Sequence, residues 1–296
     1  MILFLLVCIP AVASGLIGLT RKRWLMELIH VAAIIGSLIA GGIVVAWIWM
    51  GQPVIQWNLF RADGLSAFMI AIVTFVGAIA GIYAVAYMRL EYDDSDLRHL
   101  RMFYALFQLF IFTMLLAVTS DNLGVMWVAI EGTTLSTVFL VNLHENHTGL
   151  EAAYKYLIIS SVGIALAFMG TVLVYYAAVT QVGEIGLSWT TLIAVAARLS
   201  PDIVKLAFVF ILIGYGTKAG LAPMHTWLPD AHSEAPAPIS ALMSGVLLNV
   251  GLYALMRFKA VTDIAAGSAF SSTWLMRFGL LSLGLAAAFL LSQRNY

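Results

Sequence analysis

Of 296 residues, 62% are hydrophobic and only 10% carry a charge, with bases and acids in equal number; the mean hydropathy is +0.98. A soluble domain of that composition has too little polar surface to cover itself, so the chain reads as an all-α polytopic membrane protein embedded in a lipid bilayer. The zero net charge gives no reason to expect a nucleic-acid partner. The single cysteine, Cys8, leaves no internal disulfide or thiolate cage, and no metal or other cofactor is expected in the chain.

Residues 1–19 form a first apolar helix, read as retained because no basic segment precedes it. Arg21, Lys22 and Arg23 follow as the densest basic cluster. Such clusters stay in the cytoplasm, which places the N-terminus outside. Arg89, Arg98, Arg101, Lys155 and Arg294 then share the cytoplasmic side. A second helix is predicted over 28–50, a short alternating hairpin strand over 54–63 (VIQWNLFRAD), and a third helix over 64–88, whose Gly77 and Gly81 suit close packing. The loop RLEYDDSDLRHLR mixes both charge signs and is a solvated surface.

A fourth helix covers 102–119, and Ser120, Asp121 and Asn122 offer an N-cap for the fifth. Within the fifth, Glu131 lies ten residues beyond Asp121, ~15 Å into a ~30 Å apolar core, where a carboxylate has no route to water. Thr133, Thr134, Ser136 and Thr137 can supply hydroxyls beside it. His144, Glu145, His147 and Glu151 read as solvated loop residues rather than metal ligands, since no ligand spacing recurs. The sixth helix, 152–179, carries Lys155 four residues after Glu151, the favourable order for an ion pair. A polar connector over 181–202 leads to the seventh.

The seventh helix, 203–219, ends in the most informative stretch. Lys218 sits near its far end, Pro223 cannot continue the hydrogen-bond ladder, and Gly216 and Gly220 loosen the backbone, so a broken helix with Lys218 at the end of its first half is expected. Carbonyls left open to water there would favour a cation. A short second half (224–231) carries His225 and His232, candidates for passing protons toward water or for capping and packing. The eighth helix spans 239–258, with Asn249 ~16 Å along it, and the ninth spans 274–291.

The stretch GYGTKAGLAPMHTWLPDAHSEAPAPISALMSG resembles the seventh and eighth helices of the proton-pumping, antiporter-like membrane subunits shared by respiratory complex I, Mrp cation antiporters and membrane-bound hydrogenases. Within that superfamily, PMHTWLPDAHSEAPAPISALMSGVLLN is most similar to component F of hydrogenase and formate-hydrogenlyase complexes. The resemblance implies a proton-translocating subunit of a redox-driven complex in the plasma (inner) membrane, partnered by other membrane-arm subunits and a peripheral redox module. It also implies proton-translocation roles for Glu131, Lys218, Lys155, His225, His232 and Asn249, and a hinge at Gly216, Gly220 and Pro223. Residues 1–101 would be N-terminal helices, 102–260 a half-channel repeat, and 261–296 the ninth helix before a second repeat. One repeat should conduct only halfway across the bilayer. Asn249 stands at the position where several relatives carry a lysine and Ser244 where they carry a histidine, which puts a direct lysine relay through the eighth helix in doubt. A non-conducting scaffold and a stand-alone sodium/proton antiporter are the competing readings.

Overall fold

The computed structural model describes residues 1–51, 53–57, 59–183 and 186–292, so Asn58 of the hairpin, part of the polar connector and Arg294 lie outside the described residues. Helices α1 (Ile2–Leu19), α2 (Arg23–Trp49) and α3 (Gly64–Glu91) come first, with strands β1 (Val54–Gln56) and β2 (Phe60–Ala62) forming an antiparallel hairpin between α2 and α3. Then follow α4 (Leu97–Thr119), α5 (Leu123–Val141), α6 (His147–Val182), the short α7 (Trp189–Val195), α8 (Pro201–Lys218), α9 (Trp227–Glu234), α10 (Ala237–Leu242), α11 (Leu248–Ala266) and α12 (Ser268–Ser292). A π-helical turn, Met243–Leu247, joins α10 to α11 so that Ala237–Ala266 is one span.

Among the described residues, eight helices are long and apolar enough to cross a membrane. Broken α8–α9 is the ninth segment; α8 is as long as α1 but carries Asp202, Lys205 and Lys218, too many charges for a simple span.

Side-chain caps set the starts of several helices, and α4 and α6 begin ahead of their apolar runs for that reason. Asp63 accepts from the Ser66 amide at 3.1 Å, Asp96 from the His99 amide at 3.4 Å, and Asn122 from the amides of Gly124 and Val125 at 2.8 and 3.1 Å. Asn146 does the same for Gly149 at 2.5 Å, and α6 therefore runs 36 residues, ~54 Å, well beyond the apolar core.

Lipid is as apolar as leucine, so these helices associate through close packing. At α4 the core is aromatic: Phe103, Tyr104, Phe107 and Phe110 are fully enclosed. Gly77 and Gly81 serve two neighbours. A Cβ on Gly77 would meet Ile111 of α4 at 2.9 Å, whereas one on Gly81 would run into Ile34 of α2. Helices α6 and α8 meet backbone against backbone. A Cβ on Gly214 would lie 2.5 Å from the Ala167 nitrogen and 2.6 Å from the Gly163 carbonyl oxygen, and one on Gly163 would meet Thr217 at 2.7 Å.

At the membrane face that carries the hairpin, one polar cluster ties three helices together, α3 through its N-cap, α7 and α11. Arg257 of α11 makes paired hydrogen bonds to Asp63, at 2.6 and 2.7 Å, and a third to Ser66 Oγ at 2.9 Å. Its guanidinium lies 4.6 Å from the ring centre of Trp189, whose indole N–H donates to the Arg257 carbonyl at 2.9 Å. Burial alone pushes the Asp63 carboxyl up, but the Arg257 guanidinium outweighs it and holds the carboxyl down at about 2, below its ordinary 3.8. A depressed carboxyl stabilises the fold above its unfolded value, and that contribution is lost as the pH falls through about 2. In detergent, acid titration from the ordinary carboxyl value down to about 2 should therefore lower the thermal midpoint of the wild type, while Asp63→Asn, already less stable, should show less of that loss.

Candidate functional site

The α6–α8 apposition exists because glycines stand where the two backbones meet, and its consequence lies one turn further on. It delivers the last residue of α8, Lys218, to the side of α6 that bears Tyr156. Lys218 is completely enclosed. Its Nζ donates to Thr134 Oγ1 at 2.8 Å and to the Tyr156 hydroxyl at 2.9 Å, and sits 4.7 Å from the Tyr156 ring centre and 5.9 Å from that of Trp227. A buried ammonium is thus met by two hydroxyl acceptors and aromatic faces, the surroundings a cation needs once water is removed.

Glu131 is reached through Thr134. The Thr134 hydroxyl donates to Glu131 Oε2 at 3.4 Å, and Ser161 of α6 donates to Oε1 at 2.7 Å. The carboxylate and the ammonium make no direct ion pair; one hydroxyl stands between them. On the other side of Lys218, Tyr156 OH and Thr137 Oγ1 are 2.8 Å apart, and Thr137 donates to the Thr133 carbonyl at 2.7 Å. With its hydrogen committed there, Thr137 accepts from Tyr156. A continuous line therefore runs Glu131, Thr134, Lys218, Tyr156, Thr137. Thr133 and Ser136 turn back onto carbonyls of their own helix, at Ile130 and Thr133.

The break beyond Lys218 differs from the expectation of carbonyls open to water. Tyr215 O accepts from the Ala219 amide at 2.8 Å, Gly216 O from Leu221 at 2.8 Å, and Thr217 O from Gly220 at 3.2 Å and from the Trp227 indole at 3.0 Å. The chain caps its own helix end, as buried carbonyls require. Gly220 adopts φ +76°, a conformation that glycine takes without strain. Gly216 lies inside the last turn of α8 and Pro223 in the linker. On α12, Ser282 Oγ accepts the Ala222 amide at 2.9 Å.

The other sequence-selected residues lie around this line. Lys155 pairs with Glu151 at 2.7 Å and with Asp230 of α9 at 2.9 Å, tying the start of α6 to the second half of the broken helix. Lysine and partners alike are substantially exposed, so water screens the pairs and they add little to stability. His232 Nδ1 is 2.9 Å from Ser240 Oγ, and His225 Nδ1 is buried with no hydrogen-bond partner among the described residues. Asn249 donates to Gly245 O at 2.8 Å, in the π-helical turn, and makes no hydrogen bond to the Lys218 line.

Sequence reading overlooked Tyr156, Ser161, Trp227 and Ser282. The spacing of Gly163, Ala167 and Gly170 on α6, a stripe of small residues, was the available signal that this helix receives a close neighbour.

Together, eight membrane-crossing helices and one broken segment, enclosing a lysine and a carboxylate joined by hydroxyls, define a polytopic all-α membrane protein with ionisable groups inside its bundle. The chain belongs to the family described as NADH:quinone oxidoreductase/Mrp antiporter, TM, whose model matches residues 120–296. A second model, described as NADH-Ubiquinone oxidoreductase (complex I), chain 5 N-terminus, matches residues 47–98. The chain is 39% identical over 278 residues to the hydrogenase-4 component F homolog of Methylacidiphilum infernorum (isolate V4), covering 93% of this chain and 56% of that protein. It is 30% identical over 239 residues to hydrogenase-4 component B of Escherichia coli (strain K12), covering 79% and 33%. The fold is similar to a chain in the structure of the membrane-bound sulfane sulfur reductase, an archaeal respiratory membrane complex, with a TM-score of 0.81 at 19% identity, covering 94% of this chain and 57% of that one. It is also similar to a chain of respiratory complex I from Thermus thermophilus, with a TM-score of 0.68 at 24% identity, covering 87% and 53%. The chain thus spans little more than half the length of the first of these relatives, and less of the second.

Proposed function

We propose that the chain is a proton-translocating, antiporter-like subunit of a redox-driven membrane complex of the hydrogenase/formate-hydrogenlyase or NADH dehydrogenase type. The observation that carries this reading is Lys218, fully enclosed and joined to Glu131 through a single hydroxyl. A charge enclosed inside a membrane bundle costs several kcal/mol unless it is used or paired, and a pure anchor gains nothing from it. In this reading a proton leaves Lys218 for Thr134 Oγ1 as the Thr134 hydroxyl hydrogen passes to the Glu131 carboxylate. Lys218 becomes neutral, Glu131 becomes protonated, and Thr134 is unchanged. Tyr156 and Thr137 extend the line in the opposite direction. Residues 102–260 form the half-channel, Lys155 with Asp230 stands at one mouth, His225, His232 and Asn249 lie on exits to water, and Gly216, Gly220 and Pro223 form the hinge.

Membrane-arm subunits and a peripheral redox module are its partners, the inner membrane is its location, and the Arg21–Arg23 cluster sets the N-terminus outside. Glu131→Gln tests the reading in membrane vesicles holding the assembled complex. Proton uptake should fall at least about a hundredfold, the lower range for a positioned proton-transfer group, while the redox module still turns over with an artificial acceptor. Full uptake in a verified assembly would leave a scaffold as the better description.

A further inference from the structure

Two cavities between α2 and α3 share one residue, Arg89. The first is an apolar groove of about 470 Å³ lined by Val31, Ile82, Val85, Ala86 and Leu90. The second, about 650 Å³, is a polar cleft where α2 begins, lined by the bases Arg21, Lys22, Arg23 and Arg89 and the acids Glu27 and Asp94, with Trp24 beside them. Both are open along the surface of the helices, as a site for a lipid lying against the protein would be. Since α2 starts and α3 ends at the same membrane face, Val31 and Ile82 lie ~10–12 Å deeper in the bilayer than the bases.

The charges in the cleft do not cancel. Arg23 is held by Glu27 at 3.0 Å and Asp94 at 2.7 Å, and Arg89 by Glu27 at 2.5 Å. Those two acids serve those two arginines. Arg21 and Lys22 are exposed and have no acidic partner among the described residues. Helix α2 adds to the imbalance, because its N-cap is Lys22 and no side chain caps its first amides, which leaves the positive end of a 27-residue helix at the same cleft. Trp24, 61% exposed, stands at the level where indole rings mark the headgroup region.

We infer that α2 and α3 form a binding site for an anionic phospholipid, its phosphate held by Arg21, Lys22 and the α2 N-terminus and one acyl chain lying in the groove below Arg89. A zwitterionic lipid brings its own cation to a cleft already in excess of positive charge, so the site selects a net-negative headgroup. Arg89 joins the two regions while remaining bound to Glu27. None of the residues lining this site is among those that hold Lys218, and the site rests on none of the roles proposed for that residue.

Native mass spectrometry of the chain released from neutral-detergent micelles containing equimolar phosphatidylglycerol and phosphatidylcholine with identical tails tests the site. One phosphatidylglycerol should be retained with a preference of about tenfold or more, given about fivefold for each unpaired base near the surface. Arg21→Ser with Lys22→Ser, at exposed positions that hold no other residue, should bring that preference close to even while the thermal midpoint in phosphatidylcholine stays at the wild-type value. Val85→Trp, which fills the groove, should reduce retention of both lipids, and excess inorganic phosphate should displace neither. Equal retention of the two lipids by the wild type would leave the cleft to an acidic protein segment and overturn the proposal. So would a preference that survives the double substitution, or displacement by inorganic phosphate.

Discussion

Lys218→Met is expected to abolish proton translocation in the assembled complex, by at least about a hundredfold, and to do so without unfolding the chain. Methionine comes within one atom of the lysine's length and removes a charge whose burial is costly, and Glu131, half-buried and without a direct ion pair to Lys218, keeps its hydrogen bonds from Thr134 and Ser161, so the thermal midpoint should stay close to the wild-type value. The partners left behind tolerate the loss: Thr134 still donates to Glu131, and Tyr156 still has Thr137 at 2.8 Å. Lys218→Arg should translocate no better, because a guanidinium does not release its proton at physiological pH and the completely enclosed site has no room for its fork. Thr134→Val removes the one hydroxyl between ammonium and carboxylate and should approach the Lys218→Met loss with the lysine still in place. Tyr156→Phe keeps the ring beneath the ammonium and removes only the hydroxyl, so its effect should be intermediate. Proton uptake by vesicles, normalised to the amount of assembled complex, ranks the four variants. A Thr134→Val variant with wild-type uptake would show that protons do not pass along this line.

The helices and the break were legible because each is a local property. An apolar run of membrane length, a proline without an amide hydrogen and a glycine able to adopt φ +76° act on their own stretch of chain. Distance along a helix was legible for the same reason, since residues counted from a helix end convert directly into ångströms. Azimuth was not. Counting placed Glu131 and Asn249 both near mid-membrane, yet one side chain meets Thr134 and Ser161, while the other turns back to Gly245. The partners of Lys218 come from 62 and 84 residues away. No periodicity within one helix reports which face of a distant helix it will meet. The closure of the helix end by Trp227 was hidden in the same way: the indole returns ten residues along the chain only because the linker folds back on itself. Where hydroxyls were singled out as a group, Thr134 and Thr137 joined the line and Thr133 and Ser136 did not, a division that depends on a rotation of 100° per residue and on where α6 lies.

The same substitution at two glycines should have opposite consequences, and the larger one reaches the site. Glycine to alanine in a helix interior gains up to about 1 kcal/mol from backbone propensity alone. At Gly42 of α2 nothing lies within 4 Å of the added methyl, so Gly42→Ala should raise the thermal midpoint slightly. At Gly214 the methyl would enter the α6 backbone, 2.5 Å from the Ala167 nitrogen and 2.6 Å from the Gly163 carbonyl oxygen, where no rotamer change can relieve it. Overpacking of this kind costs about 1–3 kcal/mol, and here relief requires α6 and α8 to separate. Separation carries Lys218, four residues further along α8, away from Tyr156 and Thr134, which it holds at 2.9 and 2.8 Å. Gly214→Ala should therefore lower the midpoint and strongly reduce proton uptake in whatever fraction assembles, although residue 214 bears no group that can carry a proton. Thermal unfolding in detergent and vesicle uptake, measured side by side for Gly42→Ala and Gly214→Ala, separate helix propensity from helix apposition. If Gly214→Ala kept both midpoint and uptake, the close approach of α6 and α8 would not be what positions the lysine.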